Sequence, residues 1–138
     1  MAVSPSYLAD KSALARMTRA KVAERLAPLI LGGQVATCAV IDLEVLYSAR
    51  SFGDYEQILA ERGALPALEL TETVGSRAVD VQHQLARRGQ HRVPVPDLLI
   101  AATAEIYGVA VIHYDADYDR IAQITGQPTE WVAPRGSI

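Results

Sequence analysis

Apolar positions along this chain fall into two patterns, short runs and longer stretches of helical period. The runs at 7–9, 34–37, 67–70 and 109–112 are too short for helices and read as strands, and 129–132 reads as an edge strand. Residues 18–31 put Val22, Leu26, Leu29 and Ile30 on one helical face, and residues 73–88 do the same with Val74, Ala78, Val81 and Leu85. Segment 40–51 is apolar on nearly all sides and 98–107 is very apolar, which predicts two buried helices. A short helical turn capped by Ser12 runs to Met17. A helix at 55–62 follows a break at Gly53, and a last helix runs from an acidic turn through Ile124. Gly32-Gly33, Gly63, Gly89, Gly108 and Gly126 mark the stops. Pro94 and Pro96 bracket an extended step before Asp97 opens the helix at 98–107. Strands alternating with helices predict an α/β fold, with a central, short parallel sheet flanked by helices. No repeat or linker divides the chain, so residues 1–138 are expected to form a single domain.

In open α/β sheets the reactive groups gather at the carboxyl ends of the strands. Asp10 directly follows the first strand, and Asp115 and Asp117 follow the strand at 109–112 after a two-residue step. If both strands are parallel and central, these acids emerge at one edge. Asp97 sits at a helix N-terminus, where an acid is favoured as a cap or in the first turn. Glu44 lies among Val40, Ile41, Leu43, Val45, Leu46 and Tyr47. An ionised carboxylate there is costly unless a cation or hydrogen-bond donors meet it. Asp42, two positions away, points elsewhere on a helix, so at most one of the two joins a shared site.

Four or five converging carboxylates repel one another and hold some protons unless a divalent cation joins them. All-oxygen ligation selects Mg²⁺, Mn²⁺ or Ca²⁺ over Zn²⁺. Each acid also has a plainer reading. Asp10 ends a strand, Asp97 caps a helix, and Asp115, Asp117 and Asp119 form a solvated turn, Asp119 above all. His83 reads as surface and His91 as part of a basic loop. His113 reads first as a structural hydrogen-bonding group and second as a contact to metal-bound water or substrate. No His/Cys spacing suggests zinc, and Cys38 reads as a small core residue.

Composition narrows the class of protein. Half of the 138 residues are apolar, enough for a sizeable core, and the net charge of −3 is too small for disorder. The acidic balance argues against tight non-specific nucleic-acid binding. No apolar run reaches the roughly 18 residues of a membrane span. The stretch Met1–Tyr7 lacks a signal-peptide pattern, and one cysteine fits a reducing compartment, so a cytoplasmic protein is expected. Against this background Arg87-Arg88-Gly89-Gln90-His91-Arg92 stands out as basic. It leads to Asp97 and could hold an RNA backbone, be a solvated loop, or meet an acidic partner. The apolar faces of the early helices, with Tyr47, Phe52 and Tyr55, have ordinary core as their default reading and a dimer or partner groove as the alternative.

Tyr7-Leu8-Ala9-Asp10-Lys11-Ser12, the isolated Glu44, Pro96-Asp97-Leu98-Leu99-Ile100-Ala101-Ala102 and His113-Tyr114-Asp115-Ala116-Asp117-Tyr118-Asp119 together resemble the PIN-domain family in order and spacing. The likeness runs from residue 7 to about 125 and is greatest to VapC toxins of type II toxin–antitoxin pairs. It implies a PIN-like domain with Mg²⁺- or Mn²⁺-dependent endoribonuclease activity, usually dimeric and held inactive by a small VapB-type antitoxin. Asp10, Glu44, Asp97 and Asp115 match the family's acidic quartet, which carries catalysis and metal binding, and Asp117 matches an additional metal-binding acid. Ser12 matches a hydroxyl expected to orient a metal-bound carboxylate or water. Lys11 departs from the Thr of many members; it either pairs with a neighbouring acid or meets a substrate phosphate. Two rivals compete with this reading. A phospho-receiver-like signalling domain also has an α/β fold with clustered acids, but needs a Lys near the last strand, and this chain has only Lys11 and Lys21. A non-catalytic RNA-binding module would have no need of the acid set.

Overall fold

A computed structural model describes residues 4–138. The first three residues of the Met1–Tyr7 stretch, read above for a signal peptide, lie outside the described residues. Strands β1 (Tyr7–Ala9), β2 (Val35–Ala36), β3 (Ala110–His113) and β4 (Thr129–Trp131) form one sheet in the order β2-β1-β3-β4. Every pairing is parallel, with Tyr7 opposite both Val35 and Ala110, and His113 opposite Trp131. β1 and β3 are therefore adjacent at the centre. Leu8, Val111 and Ile112 on these strands are fully buried, as the unbroken apolar runs require of parallel strands covered on both faces.

The helices are α1 (Lys11–Leu14), α2 (Ala20–Leu31), α3 (Ala39–Tyr47), α4 (Phe52–Gly63), α5 (Glu72–Ala86), α6 (Val95–Tyr107) and α7 (Asp117–Thr125). Val74, Ala78, Val81 and Leu85 of α5 pack with α3, α6 and α7 in the larger core, and the periodicity behind that face holds. A smaller core joins Ala13, Val22 and Leu26 to Ile112 and Val132. Gly108, at φ 70°, lets the chain leave α6 and turn at once into β3, a left-handed geometry that only glycine adopts without strain. No helix among the described residues is long and apolar enough to cross a membrane.

Several local expectations are corrected. The segment at 67–70 is not a strand: only Ala67 bridges, to Thr37, before the chain turns at Thr71 to cap α5. The helical turn after β1 is capped by Asp10 and not by Ser12, and α1 ends at Leu14. The helix expected at 40–51 stops at Tyr47, because Ser48 closes α3 and Ser51 caps α4. Gly53 therefore sits inside α4 and breaks nothing. Pro96 lies in the first turn of α6, where its missing N–H costs no hydrogen bond, so the helix begins at Val95, three residues earlier than the prolines suggested. Tyr47 and Phe52 are 88% and 77% exposed, which rules out core as their role.

Candidate functional site

Asp10 leaves β1 and Asp115 leaves β3, adjacent parallel strands, so both acids emerge at one sheet edge, as the sequence pattern required. Asp97 reaches the same place from the first turn of α6, and Asp117 from the start of α7. One carboxylate oxygen from each of Asp97, Asp115 and Asp117 lies within 4.8 Å of the others. Asp10 and Glu44 stand outside that group of three but act on it. The charges of Asp10, Asp115, Asp117 and Glu44 all bear on Asp97, and those of Asp10 and Asp115 bear on Glu44.

The surroundings of Asp10 show why its carboxylate is so firmly placed. Its Oδ2 accepts from the Ser12 N–H at 3.0 Å and from the Ser12 hydroxyl at 2.6 Å. The same Ser12 oxygen accepts from the Tyr114 N–H at 2.9 Å, which ties α1 to the chain leaving β3. Ser12 thus orients a carboxylate, as its motif implied. Oδ1 of Asp10 accepts from the Tyr118 hydroxyl at 2.8 Å, and that hydroxyl lies 3.5 Å from Asp97 Oδ1.

Tyr118 was missed by the sequence reading. It is fully buried, and with Ile121 it forms the inward face of α7, so an i, i+3 reading of the acidic turn would have turned its ring toward the acids. Burial, followed by the charges of Asp10 and Asp97, holds its phenol in the neutral, donating form. Tyr118→Phe should keep the fold and lower Mn²⁺ affinity by about 10-fold, the low end of what outer-shell groups contribute. Calorimetry of the two proteins decides the point, and equal affinity would make the hydroxyl a mere packing feature.

The acids are under electrostatic stress. Burial first, and then the neighbouring carboxylates, push Asp97 up to about 8. Burial, followed by Asp10, also raises Glu44, against the opposing charge of Lys11. Asp97 Oδ2 and Glu44 Oε1 are buried without any hydrogen-bond partner. Two orphaned carboxylate oxygens and three carboxylates within 4.8 Å fit a hard divalent cation, which accepts oxygen ligands and removes the repulsion. Asp42 goes elsewhere: it accepts from Arg62 Nε at 2.8 Å and from the Thr37 hydroxyl at 2.7 Å. Of the two acids on α3, only Glu44 faces the shared site.

His113 has the structural role. It is fully buried, its rings lie 4.9 and 5.0 Å from those of Tyr118 and Trp131, and its Nδ1 accepts from the Asp115 N–H at 3.1 Å. Burial keeps it neutral, and it fixes the turn that carries Asp115. Asp119 turns away and accepts from the Trp131 indole N–H at 3.3 Å. Among the described residues Lys11 makes no ion pair, yet its charge is felt at Glu44 and both border one opening with Leu43 and Tyr47. Arg87 and Arg88 are exposed after α5, whereas Arg92 lines a cleft with Asp117 and Arg120.

An all-parallel sheet with an acid cluster at the carboxyl edge of its two central strands defines an α/β domain with a candidate cation site where such sheets bind their ligands. The PIN-domain family matches residues 7–124, and the chain belongs to it. Ribonuclease VapC21 of Mycobacterium tuberculosis is 46% identical over 133 residues, covering 95% of this chain and 96% of that protein. Ribonuclease VapC51 of the same organism is 42% identical over 132 residues, covering 96% of each. Among solved structures, DNA-bound VapBC from Salmonella typhimurium matches with a TM-score of 0.74 at 19% identity, covering 94% of this chain and 100% of that one. At that identity the likeness is one of fold.

Proposed function

We propose that this chain is a VapC-type toxin, a single PIN domain over residues 1–138 that hydrolyses RNA phosphodiester bonds in the cytoplasm with Mg²⁺ or Mn²⁺. The observation that carries the reading is the group of Asp97, Asp115 and Asp117 within 4.8 Å, flanked by orphaned buried oxygens on Asp97 and Glu44. Relatives named as VapC ribonucleases, similar over nearly the full chain, support the same chemistry. Asp10, Glu44, Asp97 and Asp115 are the acids proposed to serve catalysis, and with Asp117 they would hold the ion. When bound, a divalent ion supplies an activated water and offsets charge on the phosphate and leaving oxygen.

The protein's own groups do the rest. Ser12 and Tyr118 hold the two oxygens of Asp10 in fixed directions, so little reorganisation accompanies ion binding. His113 sets the backbone turn that aims Asp115. Asp97, buried and pushed up to about 8 with one orphaned oxygen, is the acid best placed to keep a proton or a ligand and not a hydration shell, and half-buried Glu44, also raised by burial, shares that tendency.

Incubation of the protein with total RNA in Mg²⁺, Mn²⁺ or EDTA tests the reading. Discrete fragments should appear with either ion and vanish in EDTA, whereas intact RNA under all three conditions would overturn it. We further propose a small VapB-type antitoxin as partner and a homodimer as the working state. The exposed apolar residues Leu43, Tyr47 and Phe52, on α3 and α4, suit such surfaces. An antitoxin Arg reaching the carboxylates would be the natural inhibitory contact. Solved VapBC complexes on the same fold support the pairing. Expression alone should arrest growth, and co-expression with the neighbouring small reading frame should relieve it and recover a complex. Unimpaired growth with recovery of the chain alone would count against the toxin role.

A further inference from the structure

Beside the acids lies a cleft of about 370 Å³, lined by Gly89, Gln90, Arg92, Val93, Asp117 and Arg120. That is within the roughly 300–1,000 Å³ of small-ligand sites. It forms where the loop after α5 passes the first turn of α7. Arg92 is exposed and, among the described residues, enters no ion pair. Arg120, half-exposed, donates through Nη1 to Asp117, three residues before it on the same helix face. A guanidinium has five N–H donors, so this bond leaves most of them for a second acceptor. The side-chain oxygen of Gln90 is buried and has no hydrogen-bond partner.

We infer that this cleft holds a backbone phosphate of single-stranded RNA next to the bond being cut, gripped by Arg92 and Arg120. The inference rests on the ribonuclease reading above. A chain of net charge −3 whose reactive edge is a carboxylate cluster repels a polyanion, so nearby cations must offset that repulsion. Paired guanidiniums match the geometry of a phosphate's oxygens. A carboxylate could meet the same guanidiniums, but an RNA substrate that reaches the acid cluster must lay its phosphates beside it. Arg120 also fixes register: because it is bonded to Asp117, a phosphate it holds stands at a set offset from the acid cluster. Arg87 and Arg88, although part of the same basic run, do not line the cleft.

Fluorescence anisotropy of a 5′-labelled, randomised 12-nucleotide RNA in EDTA, titrated over a series of salt concentrations, tests the cleft without turnover. Arg92→Ala and Arg120→Ala should each weaken binding and lower the salt slope by about 0.7, the double variant by about twice that. The exposed pair Arg87→Ala/Arg88→Ala should behave as wild type. In Mn²⁺ with total RNA, Arg92→Ala should raise KM several-fold at unchanged kcat, since Arg92 bonds to none of the acids. Arg120→Lys should restore part of the slope lost in Arg120→Ala, separating phosphate contact from release of Asp117. Wild-type affinity and slope in the double variant would overturn the inference while leaving the ribonuclease reading intact. The same unchanged RNA binding with lost binding of a labelled polyglutamate peptide would assign the cleft to an acidic protein partner instead. Absence of RNA binding and cleavage in wild type would remove both readings together.

Discussion

In the metal-free protein, Asp97→Asn is expected to melt at least about 5 °C above wild type at pH 8, and with Mn²⁺ present it should have lost RNA cleavage. The cause is the cost of ionising Asp97, which burial and four neighbouring carboxylates push up to about 8 from an ordinary value of 3.8. Below pH 3.8 both the folded and unfolded chains carry the proton, and its stabilising effect is fully present. Between 3.8 and about 8 only the folded chain carries it, so stability falls as pH rises across that window. Each unit of difference is worth about 1.4 kcal/mol, so the loss accumulated by pH 8 amounts to several kcal/mol. Asn keeps the shape and has no proton to lose. Melting curves from pH 5 to 8 should therefore slope downward for wild type and be flatter for the variant. Adding Mn²⁺ should raise the wild-type melting temperature and leave the variant nearly unmoved. Parallel pH curves for the two proteins would remove Asp97 from its place at the centre of the stress.

The central strands of the sheet were readable because they are buried on both faces, and burial leaves a plain mark in sequence. Tyr7–Ala9 and the run ending at Ile112 are unbroken and apolar, and their pairing put Asp10 and Asp115 at one edge as expected. The segment at 67–70 is apolar except for Glu69 and forms one bridge, because pairing at a sheet edge depends on where the chain must go next. Here it must reach Thr71 and start α5. Helix ends were less legible than helix faces. Gly53 looked like a break because glycine weakens helices, yet Ser51 supplies a side-chain cap one step earlier and the helix runs through the glycine. Tyr47 and Phe52 were apolar but outward, since hydrophobicity alone does not distinguish a core from a surface awaiting a partner.

The acids were legible for a different reason. A carboxylate within an apolar run is costly, so Glu44 declared itself by its neighbours. Groups whose role depends on a specific partner did not. Tyr118 looked like one more residue of an acidic turn; its hydroxyl matters only because α7 points it at Asp10, 108 positions away in sequence. Arg120 likewise gains meaning from Asp117 and from the loop carrying Arg92, which no linear pattern joins. His113 was read as structural, and its bond to the Asp115 N–H bears that out.

Glu44 and Asp42, two positions apart on α3, should separate cleanly under mutation. Glu44→Gln is expected to cut RNA cleavage at least about 100-fold, the loss of a group in a metal's immediate surroundings. Its fold should persist or gain stability, because the substitution removes a carboxylate whose ionisation burial and Asp10 oppose, and leaves no cation unpaired. Asp42→Asn should do the reverse. Arg62, only 11% exposed in its side chain, would lose the negative charge beside its Nε, and a neutral amide oxygen would be left to accept from both Arg62 and the Thr37 hydroxyl. Leaving a largely buried guanidinium without its counter-charge and weakening its hydrogen bond to one with a neutral acceptor costs about 1–2 kcal/mol, so this variant should unfold earlier in urea. Per folded molecule it should cleave RNA at the wild-type rate, since neither Arg62 nor Thr37 touches the acid cluster. The measurement is a pair of urea titrations beside single-turnover cleavage in Mn²⁺. If Glu44→Gln cleaves at the wild-type rate, Glu44 is only a half-buried polar residue of α3. If Asp42→Asn alone destroys cleavage while remaining folded, the functional acid of that helix has been assigned to the wrong position.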